Sequence, residues 1–154
     1  MIINPYLNFN GNTEEVFNFY KSVFGGDFPF LMRFNQLPPE VDDQGGCVDQ
    51  GIPEDEANGI MHIALPIGNS MLMGTDVVST MPQVTAGTNI SLCVSVDSRE
   101  DADRIFNALS QGGNVQMPMA DMFWGDYYGM LTDKFQIQWM VSYNEAQQGK
   151  AAQQ

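Results

Sequence analysis

The sequence predicts an α+β fold in which a βαβββ module is written twice, the two curved mixed sheets opposing their free faces across a cleft. Three observations predict it. Segments with strand and helix periodicity follow the order βαβββ in both halves. The strings Phe19-Tyr-Lys-Ser-Val-Phe-Gly-Gly and Phe106-Asn-Ala-Leu-Ser-Gln-Gly-Gly match at a displacement of about 87 residues, the self-similarity of a duplicated unit. A lone βαβββ unit also leaves one sheet face uncovered, so two of them gain by opposing those faces, and concave sites between modules are the default binding positions.

Residues 2–9 read as the first strand. Residues 13–24 place Val16, Phe19, Tyr20, Val23 and Phe24 on one helical face, with Thr13 as N-cap, Glu14 and Glu15 in the first turn and Gly25-Gly26 as the stop. Residues 28–34 are a second strand. After an acidic loop, 60–67 and 70–74 form a hairpin about Gly68-Asn69. In the second half, 89–96 is a strand, and Ser98 caps a helix that turns Ala102, Ile105, Phe106 and Leu109 inward before Gly112-Gly113. A strand at 115–119 follows, then a hairpin of 127–132 and 137–141. The expected layout is a first module at 1–78, a second at 85–143 and a flexible tail at 144–154, together one overall domain.

The chain has 154 residues, 44% apolar and 16% charged, enough to bury a core without disulfides or a structural metal. Its net charge of -13, from 19 acids against 6 bases, repels phosphate backbones and anionic lipid, so neither nucleic acid nor a membrane is an expected partner. No apolar run approaches the ~20 residues of a membrane span, and Met-Ile-Ile-Asn-Pro lacks the basic flank of a signal peptide. Cys47 in a polar loop and Cys93 in an apolar strand make no disulfide framework, which points to a cytoplasmic setting.

Particular strings carry a family resemblance: Pro5-Tyr6-Leu7 with Phe9 and Gly11-Asn12, Phe19-Tyr20 with Phe24-Gly25, Met61-His62, Leu72-Met73-Gly74, Phe123-Trp124-Gly125, and Thr132-Asp133-Lys134-Phe135 with Gln138-Trp139-Met140. In order and spacing the chain resembles the vicinal-oxygen-chelate (glyoxalase, bleomycin-resistance and dioxygenase) superfamily, in particular its PhnB-like branch. The resemblance implies a glyoxalase-like cleft. Domains of this branch also carry a demethylubiquinone methyltransferase label. This sequence has no Gly-rich loop after a first parallel strand to hold an adenosyl cofactor, and no cofactor is expected.

The resemblance also implies metal ligands on the first and fourth strands of each module, at positions near Ile3, Leu72, Asn89 and Met140. None of these, nor any immediate neighbour, is His, Asp or Glu. A divalent cation needs several converging N, O or S donors, so a small, partly apolar molecule bound without that metal is the expected cleft occupant. His62, the only histidine of the sequence, alternates toward the cleft, where it serves proton transfer on a carbonyl or quinone-like ring or is a structural histidine.

The candidate ligand-binding residues are Tyr6, Asn8, Arg33, Met73, Ser91, Cys93, Trp124, Tyr127 and Met140. Trp124 and Tyr127 stack on a ligand or merely plug a module end. Arg33 clamps a carboxylate or pairs with one of many surface acids. Cys93, with nothing basic nearby to lower its pKa, is a poor nucleophile. The 11 methionines line an adaptable pocket or fill gaps in the core. The acidic loop 36–58 lacks the spacing of a calcium loop and reads as a lid or a solvated segment. Exposed strand edges and uncovered faces further predict a homodimer, in which module one of a chain pairs with module two of its partner; an interaction dimer without ligand is the remaining alternative.

Overall fold

The computed structural model describes residues 1–37 and 52–145. The chain divides into two compact units, Met1–Thr85 and Ala86–Gln154. The Cys47 segment, most of the acidic loop and the tail beyond residue 145 lie outside the described residues.

The first unit comprises β1 (Tyr6–Phe9), α1 (Thr13–Phe24), β2 (Phe30–Arg33), β3 (Ile60–Ile67) and β4 (Ser70–Asp76). Its sheet runs in the order β1-β4-β3-β2, with β1 parallel to β4 and the other pairs antiparallel. Pro5 offers no N–H, so β1 opens at Tyr6 rather than near residue 2, although the Pro5 carbonyl still accepts Met73 N–H at 3.1 Å. Ile2 and Ile3 stand exposed before it.

α1 buries Val16, Phe17, Tyr20 and Val23. Phe17 therefore takes the central place that the sequence pattern assigned to Phe19 and Phe24, because Gly74 of β4 leaves room for its ring: a Cβ there would stand 2.5 Å from Phe17 Cε2. Full burial of side chains such as Phe17 and Tyr20 stabilises the unit by roughly 1.5–3 kcal/mol each. Leu65 and Leu72, directly opposed on β3 and β4, complete this layer.

The start of α1 departs from expectation. Asn12 holds the cap position without a side-chain cap bond, and Thr13 is the first helical residue. The orphan N–H of Thr13 is satisfied by Asp76 Oδ1 at 2.9 Å, while Asp76 Oδ2 accepts Ile60 N–H at 2.7 Å. One buried carboxylate at the end of β4 thus ties the start of α1 to the start of β3. Gly25 closes the helix at φ 78, a left-handed conformation that glycine adopts without strain.

The second unit repeats the plan with β5 (Leu92–Val96), α2 (Arg99–Ser110), β6 (Asn114–Asp121), β7 (Tyr127–Thr132) and β8 (Gln138–Tyr143). Its sheet order is β5-β8-β7-β6, again with one parallel pair, β5 with β8. α2 buries Ala102, Ile105, Phe106 and Leu109, and Ser98 caps it by accepting Asp101 N–H at 3.0 Å. Asn89 and Ile90 lie ahead of β5 rather than in it; the Ile90 carbonyl accepts the Gln138 side-chain amide instead of a ladder bond. In the β7–β8 turn, buried Asp133 accepts N–H groups from Phe135, Ile137 and the Trp139 indole.

Candidate functional site

Each sheet has one face under its helix and one face turned away from it, and strand register assigns every side chain to one or the other. In the first unit Leu72, Gly74, Ile63 and Leu65 face α1. The other face therefore carries two cross-strand rows. Tyr6, Met73, Ala64 and Phe30 form one; Asn8, Thr75, His62 and Met32 form the next, by the same two-residue repeat.

These rows bring Tyr6 and His62 together. Tyr6 Oη and His62 Nδ1 share a hydrogen bond of 3.0 Å. With the phenol donating, Nδ1 is the bare nitrogen and Nε2 carries the ring proton; protonation of the imidazole reverses the bond, Nδ1–H then donating to the phenol oxygen. The imidazole sits between two aromatic rings, with centroids 5.5 Å from Tyr6 and 5.2 Å from Phe30. Burial pushes the Tyr6 phenol above its ordinary value, and Thr75 opposes that rise. Thr75 Oγ1 itself donates to the backbone carbonyls of Met61 and Ile60 at the start of β3, at 2.8 and 3.2 Å. Tyr6 and Phe30 remain 43% and 45% exposed, so the aromatic corner is accessible.

In the second unit Leu131, Trp139 and Val141 face α2. The other face carries Cys93, Met140, Met130 and Met117 in one row and Ser95, Ser142 and Tyr128 in the next. Ser95 and Ser142 hydroxyls lie 3.3 Å apart. Burial raises the Tyr128 phenol, and the adjacent Cys93 adds to the effect.

Several candidate residues fall elsewhere. Arg33 makes a two-pronged ion pair with Glu14, at 2.7 and 2.9 Å, and also donates to the Asn58 carbonyl, so its guanidinium is engaged by acceptors of the protein itself. That pairing holds the Glu14 carboxyl below its usual range. Tyr127 turns toward the α2 side: its hydroxyl donates to Asp103 at 2.7 Å, and its ring lies 4.4 Å under the Arg99 guanidinium, which pairs with Asp121. Trp124 caps the β6–β7 turn, its indole donating to Asp126 at 2.8 Å and its ring meeting Phe123 and Tyr128 edge-on. Ser91 precedes β5 and is half-buried.

Three of the four positions that the resemblance assigned to metal ligands need correction; Met140 alone lies on the helix-free face of its strand. Ile3 and Asn89 lie ahead of their strands, and Leu72 is buried under α1, one residue out of phase with the free face. The residues that do occupy that face on the paired strands β1/β4 and β5/β8 are Tyr6, Asn8, Met73 and Thr75, and Cys93, Ser95, Met140 and Ser142. Phenol, amide, hydroxyl, thiol and thioether groups include neither carboxylate nor imidazole, and this donor chemistry does not fit a hard divalent cation. Among the described residues no three His, Cys, Asp or Glu side chains converge.

Sequence reasoning missed a cavity of about 230 Å³ in the first unit, at the C-terminal ends of β1 and β4, lined by Asn10, Phe34, Glu56, Asp76 and Gln83 among others. Its polar groups serve the fold: Asn10 both donates to and accepts from the Val84 backbone, Gln83 donates to Val78 and Met81 carbonyls, and Glu56 accepts Ser79 N–H. No short motif marks such a site, because it is assembled by chain segments up to 74 residues apart.

With this geometry in hand, comparison defines the class. A model of the glyoxalase/bleomycin resistance protein/dioxygenase superfamily matches residues 2–141, and the chain belongs to that superfamily. The crystal structure of protein PA1353 from Pseudomonas aeruginosa is similar at 36% identity and a TM-score of 0.77, covering 94% of this chain and 98% of that one. Protein YjdN of Escherichia coli K12 is 27% identical, over 92% of this chain and 95% of its own length. The fold is shared, at 24% identity and a TM-score of 0.68, with a Bacillus cereus PhnB protein described as a putative 3-demethylubiquinone-9 3-methyltransferase, over 93% of this chain and 99% of that one. No helix among the described residues is long and apolar enough to cross a membrane.

Proposed function

We propose that this chain binds a small, partly apolar molecule on the helix-free sheet face of its first unit, without a divalent metal. The observation that carries the reading is the accessible Tyr6–His62 pair set against Phe30 and Met73. An imidazole edge with a defined proton, flanked by aromatic and thioether groups, suits a planar ligand that accepts one hydrogen bond and buries the rest of its surface against apolar groups. Asn8 adds an amide on the same face, and Cys93 and Met140 line the corresponding face of the second unit.

Two measurements test it. Native mass spectrometry of the protein as purified, followed by a thermal-shift screen of aromatic carbonyl and quinone-like compounds, is expected to find a ligand whose affinity falls in His62→Ala and in Tyr6→Phe. Binding that ignores both substitutions refutes this location. Calorimetry against manganese, nickel and zinc is expected to show no stoichiometric tight binding, and one tightly held divalent ion per chain refutes the metal-free reading.

The same pair supports a second reading, in which His62 transfers a proton on a bound carbonyl or quinone-like ring and Tyr6 holds the imidazole in the required orientation. His62→Ala then abolishes turnover of a substrate found in the screen while leaving the fold intact; turnover that survives assigns the histidine a structural role. We also propose a homodimer, supported by exposed apolar groups on and near sheet edges, Phe30 in β2 and Val115 and Met117 in β6. Sedimentation at micromolar protein is expected to give twice the 17.1 kDa chain mass at every salt concentration tried, and a persistent monomer refutes it.

A further inference from the structure

The helix-free face of the first sheet has one side chain able to take up a positive charge. Two Lys or Arg side chains lie in Met1–Thr85, and each is held by an acid: Lys21 by Asp27 and Arg33 by Glu14, both at 2.7 Å. His62 is the only histidine of the chain. Around it β1 brings Tyr6, β2 brings Phe30 and Met32, and β4 brings Met73 and Thr75, so the phenol is its one titratable neighbour on these strands. Asp76, the only acid on the four strands, spends its two oxygens on the Thr13 and Ile60 N–H groups at the α1 side of the sheet.

The hydrogen bonds of this corner accommodate an added proton. On a protonated imidazole Nδ1–H donates to the phenol oxygen, 3.0 Å away. The hydroxyl proton so displaced turns to Thr75 beside it, whose own proton already goes onward to the Met61 carbonyl at 2.8 Å, which leaves a Thr75 lone pair to accept. Each of these protons then has an acceptor within the sheet, and Nε2–H is left for a ligand. The rings of Tyr6 and Phe30, with centroids 5.5 and 5.2 Å from the imidazole, wall the place where that ligand lies.

The charge of the chain makes this proton decisive for an acid. A chain at -13 repels an anion, and no fixed cation on this face offsets the repulsion. The imidazolium does offset it, through a charge-assisted hydrogen bond from Nε2–H that is stronger than its neutral counterpart. A neutral carbonyl takes the same N–H from either charge state and gains far less from the proton.

We propose that the ligand of this face is a planar acid, a carboxylic acid, enol or phenol joined to an apolar ring, bound as its anion together with one proton on His62. The proton comes from the solvent or from the acid itself, whose O–H bond breaks as the imidazole N–H bond forms, with no change in oxidation state. The inference rests on binding at the Tyr6–His62 pair and narrows the ligand from planar hydrogen-bond acceptors in general to acids.

The test uses the full chain and two probes of one shape, 2-naphthoate and its neutral amide, from about pH 5.5 to 8.5, the range in which an imidazole changes charge. Methyl NMR shifts of Met32 and Met73 locate each probe, the single histidine Cε1–H signal follows the protonation of His62, and calorimetry in buffers of different ionisation enthalpy counts the protons taken up. Above the observed His62 midpoint, naphthoate is expected to take up close to one proton per molecule bound and to lose affinity about tenfold per pH unit, while the affinity of the amide changes less than about twofold over the range. His62→Gln keeps a hydrogen-bond donor of similar reach without the charge. It is expected to abolish the proton uptake and to weaken naphthoate at the acid end roughly tenfold or more, with amide binding kept within about threefold. An unchanged circular dichroism spectrum and melting temperature certify the fold of this variant. Naphthoate that binds without proton uptake, that is no more sensitive to pH than the amide, or that ignores His62→Gln overturns this inference and leaves the binding face standing. Failure of both probes to move the Met32, Met73 and His62 signals overturns the binding face itself, and this inference with it.

Discussion

Replacing Asp133 by Asn changes one atom's chemistry at a buried junction and has a calculable effect. The native carboxylate is 1% exposed. It accepts three hydrogen bonds: Oδ1 takes Phe135 N–H at 2.8 Å and Ile137 N–H at 3.0 Å, and Oδ2 takes the Trp139 indole N–H at 2.8 Å. An Asn carboxamide has one accepting oxygen. If that oxygen stays on the two backbone N–H groups, its NH₂ meets the indole N–H donor to donor; if it flips, two backbone donors lose their acceptor instead. A hydrogen bond to a charged group contributes ~1.5–3 kcal/mol and an unpaired buried donor costs ~1–3 kcal/mol, partly offset by burying a neutral amide in place of a charge. A net loss of about 3 kcal/mol follows, or a fall in melting temperature of roughly 6–12 °C for a chain of this length. Urea unfolding followed by circular dichroism measures it. Trp139→Phe supplies the internal check: with the indole N–H gone, the carboxamide no longer faces a donor, so Asp133→Asn should cost ~1–2 kcal/mol less in that background. A loss below ~0.5 kcal/mol, or the same loss in both backgrounds, refutes the reasoning.

Gly113→Ala should destabilise the second unit by about 1–3 kcal/mol, since the new Cβ would overlap the Thr132 carbonyl oxygen and stand 2.9 Å from Asp133 Cα, backbone that cannot rotate aside; chemical denaturation reads it. Ser98→Ala should cost ~1 kcal/mol by removing the side-chain acceptor for Asp101 N–H at the start of α2. Acid should weaken the fold in a definite window. Glu14 is held low by Arg33, Asp27 by Lys21 and Asp101 by Arg104, so the folded chain binds fewer protons than the unfolded one near their ordinary values of 4.5 and 3.8. The stability these groups lend is full above that range and is lost as pH falls through their depressed folded values. Melting temperatures followed downward from about pH 5 should therefore drop, and Glu14→Gln should make the drop shallower; an unchanged slope counts against the Arg33 pairing as its cause.

How much of this was legible before the structure depends on the range of the interaction. α2 was read correctly to its cap and its four inward residues because a cap, a 3.6-residue period and a glycine stop all act within one turn of chain. α1 was misread at Phe17 because two patterns compete on it: Phe17, Phe19, Tyr20 and Phe24 are all large and apolar, and only the missing side chain at Gly74, 57 positions further along the chain, decides which ring goes inward. The helix start was misread for the same reason, its cap being Asp76 rather than a neighbour.

The site positions show how a period of two magnifies small errors. Sliding a strand by one residue exchanges its faces, so Leu72 in place of Met73 put a core residue where a ligand was expected. Alternation within β3 turned His62 to the correct face, yet nothing local indicated Tyr6 as its partner, 56 residues away, because the two meet only through the parallel pairing of β1 with β4. Arg33 and Tyr127 went the other way. Both have side chains that a ligand would welcome, and both are taken by an acid from an adjacent helix, Glu14 and Asp103. In a chain with 19 acids and 6 bases, an arginine without a nearby carboxylate would be the exception. Free donors for a ligand must then come from neutral or titratable groups on the helix-free faces, where acids are scarce: the Tyr6–His62 pair on one sheet and Cys93, Ser95 and Ser142 on the other.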